Sequence, residues 1–162
     1  MKRVSIVLRW LITAIAVVVL AGCANAQDLV SHGFAFDFID DSPDAELIDY
    51  RYGTSYYGKS ERASLGSVSQ GGGIFGEIRR GDDLYVKWLL KATSEVFEQT
   101  VDLKSRLPAD IKGGRIYFMV RGAQLYVFLI TSQKRAKDEP PNGPSKWAFR
   151  RILTIYPDTS KN

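Results

Sequence analysis

The stretch "RIYFMVRGAQLYVFLI", Arg115 to Ile130, carries the strongest structural signal in this chain. It contains two apolar runs, RIYFMV and QLYVFLI, that are rich in β-branched and aromatic residues. A short turn with Arg121 and Gly122 separates them, and glycine is a residue that tight hairpin turns favour. The sequence therefore predicts a β-hairpin here.

The same two-residue period recurs along the chain. In "HGFAFDFID", residues 32–40, Phe34, Phe36 and Phe38 share one face of an extended chain, which predicts a half-buried strand. A hairpin is predicted around Gly81, between strands 74–79 and 84–92. The other predicted strands are "ELIDYRYG" (46–53), "EVFEQTVDL" (95–103) and a last strand over 147–156.

The remaining segments are read as loops and turns. Glycine and serine dominate residues 53–73, where we expect a long loop with irregular edge structure, and 108–111 could form one helical turn. No 3.6-residue period persists beyond the leader. Seven or eight short strands predict an all-β fold, an antiparallel β-sandwich, with a small β-barrel as the alternative.

In "LYVKWLL", residues 84–90, one face of the predicted strand contains Leu84, Val86 and Trp88, and the other contains Lys87. We expect the face without the lysine to be buried, with Trp88 as a core anchor.

The N-terminus has the features of a secretory signal peptide. Lys2, Arg3 and Arg9 form a basic region, and residues 10–20 are an uncharged, largely apolar run of about a dozen residues. A membrane-spanning helix needs roughly 20 apolar residues. We therefore expect residues 1–22 to be a helical signal peptide.

Two overlapping cleavage sites lie in "VVVLAGCANAQ", residues 17–27. The run LAGC resembles the lipobox of bacterial lipoproteins, which is cut before the cysteine, whereas ANA fits an ordinary A-x-A site. Cys23 is the single cysteine, and a free thiol would be reactive in an oxidising compartment. The sequence predicts lipidation of Cys23, a tether over 23–30 and one β-rich domain over 31–162.

Lipidation would attach the protein to a membrane surface. As in bacterial lipoproteins, Cys23 would carry three acyl chains, palmitate among them, and two chains suffice for stable anchoring. Ala24 stands where some lipoproteins of Gram-negative bacteria have the aspartate that retains them in the inner membrane. The expected location is the outer membrane, facing the periplasm.

Charge argues against a nucleic-acid partner. Without Lys2, Arg3 and Arg9, the formal net charge falls from +4 to +1. The charges are nevertheless segregated, with a net of −6 over residues 23–83 and +7 over 84–162. Such asymmetry can mark a polar binding face, although two halves that interleave in a folded sheet can cancel.

The residue types needed for common active sites are scarce. His32 is the single histidine, so metal sites with several histidines are excluded, as is a Cys–His pair once Cys23 is lipidated. No G-x-S-x-G turn is present. We expect His32 to be a surface or strand-start residue, and we predict no enzymatic activity, no cofactor and no metal.

Two charged segments are candidate partner-binding sites. Around the turn after the first strand lie four carboxylates, whose oxygens could bind a protein or Ca²⁺, although the spacing differs from that of an EF-hand. In the loop 133–146, basic residues precede three prolines that stiffen the chain, which is typical of a presented recognition loop or of a solvated hairpin loop. The candidate residues are Asp40, Asp41, Asp44 and Glu46 in the turn and Lys134, Arg135 and Lys137 in the loop.

Several runs resemble a family of small proteobacterial lipoproteins with no assigned activity. They are LIDYRYG (47–53), GDDLYVKW (81–88) and TVDLKSRLP (100–108), with PPNGP and TIYPD near the end. The glycine-rich run before the strand with Trp88 is similar, more loosely, to lipoproteins that act as immunity proteins beside type VI secretion effectors. That resemblance implies a β-rich periplasmic domain that binds and blocks a toxin.

The sequence therefore favours a membrane-anchored protein-binding module. Immunity to a delivered toxin is one form of this function, and a subunit of an envelope or secretion assembly is another. The alternative is a protein that binds or acts on cell-wall carbohydrate, which would need Asp49, Tyr50 and Tyr52, or the pair Tyr56 and Tyr57, to line an open groove.

Overall fold

The computed structural model describes residues 29–54, 56–59 and 68–158, and for 56–59 it describes the backbone alone. One helical turn, α1 (Phe38–Asp41), follows the first strand, and one 3-10 turn, η1 (Ser145–Trp147), precedes the last. The strands are β1 (Leu29–Asp37), β2 (Ala45–Tyr52), β3 (Tyr56–Lys59), β4 (Gly71–Arg79), β5 (Asp83–Leu90), β6 (Val96–Asp102), β7 (Arg115–Arg121), β8 (Gln124–Lys134) and β9 (Arg150–Tyr156).

These strands form two sheets that pack face to face. The five-stranded sheet has the order β4-β1-β7-β8-β9, and the four-stranded sheet has the order β3-β2-β5-β6. All neighbours are antiparallel except β1 and β7, which are parallel. Neither sheet closes on itself within the described residues, so the predicted β-sandwich is confirmed and its barrel alternative is not. The short edge strand β3 lies in the segment predicted to be a loop.

The hairpin predicted from Arg115 to Ile130 is present as β7 and β8. Arg121 pairs with Gln124 across a two-residue turn, in which Gly122 has a φ of 56° that favours glycine.

The hairpin predicted around Gly81 is wrong. Strand β4 pairs with β1 in one sheet, and β5 pairs with β2 and β6 in the other, so the chain crosses between layers here. The crossing passes close to Tyr52, since a Cβ added to Gly81 would lie 2.7 Å from the Cε2 atom of that ring. Arg80 donates hydrogen bonds to the carbonyls of Leu107 and Ala109. These are long-range contacts, which a local turn pattern does not reveal.

Element boundaries differ from the sequence expectation at several places, and β4, for example, begins at Gly71 rather than at residue 74. The last strand begins at Arg150 because residues 145–147 form η1, and residues 108–111 contain no helical turn. Strand β1 starts at Leu29, two residues before the predicted start of the domain, and Phe38 lies in α1 rather than in a strand.

The main core lies between the sheets and is rich in aromatic rings. Phe34 stacks on Tyr52 at a centroid distance of 4.7 Å, and Phe36 contacts Phe118 at 5.0 Å. Trp88 is buried as predicted, and its indole Nε1 donates a 3.0 Å hydrogen bond to the carbonyl of Gly122 in the opposite sheet. Trp88 therefore links the two layers as well as filling the core.

His32 is fully buried, which corrects the prediction of a surface or strand-start residue. Its Nδ1 lies 2.8 Å from the carbonyl oxygen of Val30, and its Nε2 lies 2.8 Å from the hydroxyl of Tyr52. Because a carbonyl can only accept, Nδ1 carries the hydrogen and Nε2 accepts from Tyr52. Burial lowers the pKa of His32, and the nearby positive charge of Arg80 lowers it further, so the ring is neutral in the folded protein.

We expect the free energy of unfolding to fall as the pH drops below about 6.5. The unfolded chain takes up a proton near the ordinary pKa of histidine, whereas the folded chain does so only at lower pH, so acid favours unfolding. The slope stays below the limit of about 1.4 kcal/mol per pH unit for one proton, and it vanishes above both pKa values. Urea unfolding of wild type and His32→Gln from about pH 5.5 to 7.5 measures it. An equally steep dependence in the variant would contradict the assignment to His32.

Candidate binding site

A second hydrophobic cluster covers part of the outer face of the five-stranded sheet, on the side away from the main core. Its members are buried although they lie on the face that a two-layer sandwich usually exposes. Strand β1 is consequently buried on both faces, rather than half-buried as predicted. The cluster consists of Ala35, Tyr117, Met119, Phe128, Ile130 and Ile152, with Tyr126 and Trp147 packed against it.

Residues 135–149, here called the strap, cover this cluster. Gly143 lies directly on the sheet, since a Cβ there would be 3.2 Å from Ile152 Cγ2 and 3.3 Å from Phe128 Cδ1. Its φ of 69° also favours glycine. The adjacent Pro144 is buried, and Asn142 donates a 2.9 Å hydrogen bond to the Thr154 hydroxyl of β9. The proline-rich segment thus packs on the sheet around Gly143 and Pro144.

A polar cluster holds the strap to the turn after β1. The Nζ atom of Lys146 lies 2.7 Å from Asp37 Oδ2 and 3.4 Å from Asp41 Oδ2, and 5.1 Å from the centroid of the Tyr117 ring. The Tyr117 hydroxyl donates a 2.5 Å hydrogen bond to Asp41. The Lys146 ammonium lowers the pKa of Asp37, and burial together with the Asp41 carboxylate raises the pKa of Tyr117. The Asp37 side chain is therefore held as a carboxylate and the Tyr117 side chain as a neutral phenol.

The predicted acidic residues are placed differently from one another. Asp41 belongs to the polar cluster just described, with a side chain only 7% exposed. Asp40 and Asp44 are exposed, and Glu46 is half-buried on β2 in the other sheet. Among the described residues, no group of three or more His, Cys, Asp or Glu side chains is arranged to hold a metal ion.

The three predicted basic residues also differ from one another in their contacts. Arg135 donates a 2.7 Å hydrogen bond from Nε to the carbonyl of Ala148 and another from Nη1 to the carbonyl of Glu139, so it closes the base of the strap. Lys134 and Lys137 are exposed. Of the three, these two lysines are the ones available to a partner.

Beside the strap lies a cleft of about 250 Å³, here called the aromatic–arginine cleft. The Arg115 guanidinium stacks on the ring of Trp147 at 4.8 Å. Gly33 leaves the space that these groups occupy, since a Cβ there would lie 3.0 Å from Arg115 Nε and 3.1 Å from Phe75 Cδ2. The residues that line the cleft are Phe75, Gly113, Arg115, Ile130, Thr131, Ser132, Trp147 and Arg150.

The register of the sheet assembles this cleft from distant parts of the chain. Phe75 on β4 pairs with Gly33 on β1, and Gly33 pairs with Arg115 on β7. Arg115 pairs in turn with Ile130 on β8. One row of paired residues across four strands therefore brings together the Phe75 ring, the glycine at position 33, the Arg115 cation and the aliphatic side chain of Ile130.

The cleft is positively charged and partly apolar. Neither Arg115 nor Arg150 forms an ion pair with a carboxylate of the described residues, although Arg150 donates to the Ser132 carbonyl. Phe75 and, next to Trp147, Phe149 are more than half exposed. The buried Nε1 of Trp147 lacks a hydrogen-bond partner. The arrangement can hold an anion beside an apolar group.

Sequence reasoning missed Phe75, Arg115, Trp147 and Arg150. Each stands in a predicted strand, where an aromatic or charged residue is ordinary, and only the strand order brings them together. A sequence signal does exist in Gly33, which interrupts the predicted strand 32–40, because glycine in a strand often marks the close approach of other groups.

Tyr50 and Tyr52, two of the tyrosines proposed for sugar binding, do not line an open groove. Tyr52 is fully buried, and Tyr50 packs on the core rings of Phe36 and Phe118. Asp49 pairs with Lys87 across the four-stranded sheet. The side chains of Tyr56 and Tyr57 lie outside the described residues.

We expect Lys146→Met to loosen the strap without unfolding the sandwich. Loss of the ammonium leaves Asp37 and Asp41 without their cation, an effect of about 1 kcal/mol or more for partly buried charges. Amide exchange at Trp147 and Ala148, whose N–H groups bond within η1, should accelerate at least about fivefold. Lys104→Met is the control, because Lys104 is an exposed lysine outside the strap. Equal exchange in both variants would show that the cluster does not hold the strap.

Cys23, the predicted lipidation site, lies outside the described residues. Within the described part of the chain, no helix has the length and apolar character needed to cross a membrane. Comparisons of the chain with protein-family models, with curated proteins and with solved structures found no match.

Proposed function

We propose that this protein is a lipid-anchored component of the cell envelope that binds a protein partner and is not an enzyme. The observation that carries the proposal is the aromatic–arginine cleft, where two arginines without carboxylate partners lie beside exposed aromatic rings. Tryptophan and arginine are the residues most enriched among those that dominate binding energy in protein interfaces.

Charge indicates the kind of partner. Lys134 pairs with Arg150 between β8 and β9, so this exposed lysine extends the positive charge of the cleft, and Lys137 is exposed three residues further along the chain. An acidic protein surface would complement this region and would be attracted to it at low ionic strength.

The described polar groups favour binding over catalysis. His32 is enclosed in the core, and the Tyr117, Asp41 and Lys146 side chains bond to one another to hold the strap. Within a binding function, immunity to a delivered toxin and a role in an envelope or secretion assembly both remain proposals. The carbohydrate alternative loses the part of its support that rested on Tyr50 and Tyr52, because these two residues pack in the core.

The proposed anchor would hold the sandwich close to a membrane. Strand β1 begins at Leu29, six residues after Cys23, and six extended residues span at most about 20 Å. With Cys23 acylated, the domain would lie at the outer membrane on its periplasmic side and could meet only partners that approach this surface.

Photo-cross-linking in cells tests the binding proposal. A photoreactive phenylalanine analogue would replace Phe75 or Phe149 on the cleft side, and Val96 on the four-stranded sheet as a control of similar exposure. We expect a discrete protein adduct from Phe75 and Phe149 and none from Val96. No adduct from either cleft position, or the same adduct from all three, would contradict the proposed surface.

A further inference from the structure

We infer that the aromatic–arginine cleft is a binding site for a carboxylate that is attached to an apolar group. This inference rests on the proposed protein-binding function and deepens it, because it names the chemical group that the partner would insert. The C-terminal residue of a polypeptide and an Asp or Glu side chain next to an apolar residue share this chemistry.

The charge of the cleft favours an anion as the ligand. Arg115 is half-buried, and its described contact is the face of the Trp147 ring, which leaves the hydrogens at the edge of the planar guanidinium to be satisfied. Carboxylates match this edge with two parallel hydrogen bonds. Stacking on Trp147 already orders the arginine, so less side-chain entropy is lost when an anion binds.

The tryptophan contributes a second unpaired donor. The Nε1–H group of Trp147 is buried and lacks a hydrogen-bond partner, which is uncommon for buried donors in folded proteins. An indole nitrogen can only donate. Trp147 and Arg115 both line the same cleft. Because the Nε1 atom is closed to solvent, the indole would have to shift for its N–H to reach an acceptor on a ligand.

The walls of the cleft require an apolar group next to the anion. Phe75 and Ile130 line it together with the Trp147 ring, and Phe75 is 55% exposed. A hydrated ion would leave these surfaces in contact with water, whereas an apolar side chain would bury them. A simple inorganic anion is therefore the poorer match.

The size of the cleft suits a single residue or a group of similar size. Its volume of about 250 Å³ is below the roughly 300–1,000 Å³ of sites that enclose a drug-sized molecule. A terminal residue, or one side chain with its neighbour, is a better match than a whole cofactor.

Nuclear magnetic resonance on the full-length protein in neutral detergent micelles tests the inference. The indole N–H signal of Trp147, identified by its loss in Trp147→Phe, reports on the cleft. The probes are acetyl-Ala-Phe with a free carboxylate, the same peptide as its carboxamide, acetyl-Phe-Asp-Ala-amide with an internal carboxylate, and acetate alone. For ligands of this size we expect dissociation constants on the order of 1 mM.

We expect at least one carboxylate peptide to shift the Trp147 signal, with the carboxamide and acetate binding at least tenfold more weakly. Arg115→Gln should weaken the peptide at least tenfold. Arg121→Gln is the matched control, because Arg121 lies on the same strand but contacts Tyr126 outside the cleft. A shift with acetyl-Ala-Phe identifies the chain terminus as the source, and a shift with acetyl-Phe-Asp-Ala-amide identifies an acidic side chain.

Three results would overturn the inference: equal binding of the carboxamide, equal binding to the Arg115→Gln protein, or no shift with either carboxylate peptide. These failures are separable from failure of the proposed function. If Phe149 still cross-links to a protein while no carboxylate peptide binds, protein binding stands and the carboxylate site does not. If carboxylates bind but no protein is cross-linked, the proposed function is the part that fails.

Discussion

Replacing Trp88 with alanine is expected to lower the free energy of unfolding by about 3–5 kcal/mol. The side chain is 1% exposed and stacks on Phe97 at 5.8 Å. Its indole also donates to the Gly122 carbonyl of the other sheet, so the substitution removes a hydrogen bond between the layers as well as buried apolar area. A loss of this size is a large share of the roughly 5–15 kcal/mol that stabilises a typical domain.

Urea unfolding followed by circular dichroism measures this effect. Phe149→Ala is the matched control, because Phe149 is an aromatic residue that is 57% exposed, and its loss should change stability by under about 0.5 kcal/mol. Similar losses in the two variants would contradict the placement of Trp88 between the sheets. Trp88→Phe should lie between alanine and wild type, since it keeps much of the apolar area but not the indole donor.

Replacing Cys23 with serine is expected to abolish acylation and membrane attachment. The LAGC run supplies the single cysteine, and a serine hydroxyl does not replace the thiol that lipoprotein processing modifies. Metabolic labelling with a fatty-acid analogue, together with fractionation of membranes, measures both properties. Ser5→Ala in the leader is a control that should leave labelling unchanged.

The experiment has a clear contrary outcome, because the sequence also contains an A-x-A cleavage site after Ala26. A mature N-terminus at Gln27, found by mass spectrometry of the wild-type protein, would show that the A-x-A site is used. Labelling that persists in Cys23→Ser would place the lipid on another residue. The first result would remove the membrane anchor from the proposed function, and the second would remove the anchor from Cys23.

The layer architecture could be read from the sequence because two-residue periods are local. The alternation around Trp88 identifies the buried face of β5 without knowledge of the neighbouring strand, and the apolar runs on each side of Gly122 indicate two strands that are buried along most of their length. The prediction was wrong where tertiary contacts decide which sheet the chain enters next. The chain after β4 crosses to the other sheet at Gly81, although its glycine and aspartates look like a hairpin turn.

Burial of His32 was also beyond local reasoning. A histidine near the start of a strand is ordinarily partly exposed, and here the acceptor Val30 and the donor Tyr52 allow it to be buried as a neutral ring. Tyr52 comes from the other sheet, 20 positions along the chain. A period-two pattern identifies faces but does not identify such partners.

The candidate site was likewise predictable from the sequence only in part. The sequence drew attention to the basic, proline-rich segment, and the structure places two of its lysines on the surface, while Arg135 closes the strap. The cleft beside it depends on the register β4-β1-β7-β8, in particular on Gly33 between Phe75 and Arg115. No spacing in the linear sequence connects these three residues.

The association rate between the full-length protein and the partner cross-linked at Phe149 tests the central claim most directly, when it is measured at low and high ionic strength. The test variant is Lys134→Ser with Lys137→Ser, which spares Arg135, and the control is Lys91→Ser with Lys104→Ser. Both control lysines lie outside the strap and the cleft.

If an acidic partner binds the cleft side of the five-stranded sheet, the test variant should associate several-fold more slowly at about 0.05 M salt, and the difference should shrink at about 0.5 M, where charges are screened within a few ångströms. The control variant should associate at the wild-type rate. Identical rates for wild type and the test variant at both salt concentrations would contradict the claim that this basic surface guides the partner to the cleft.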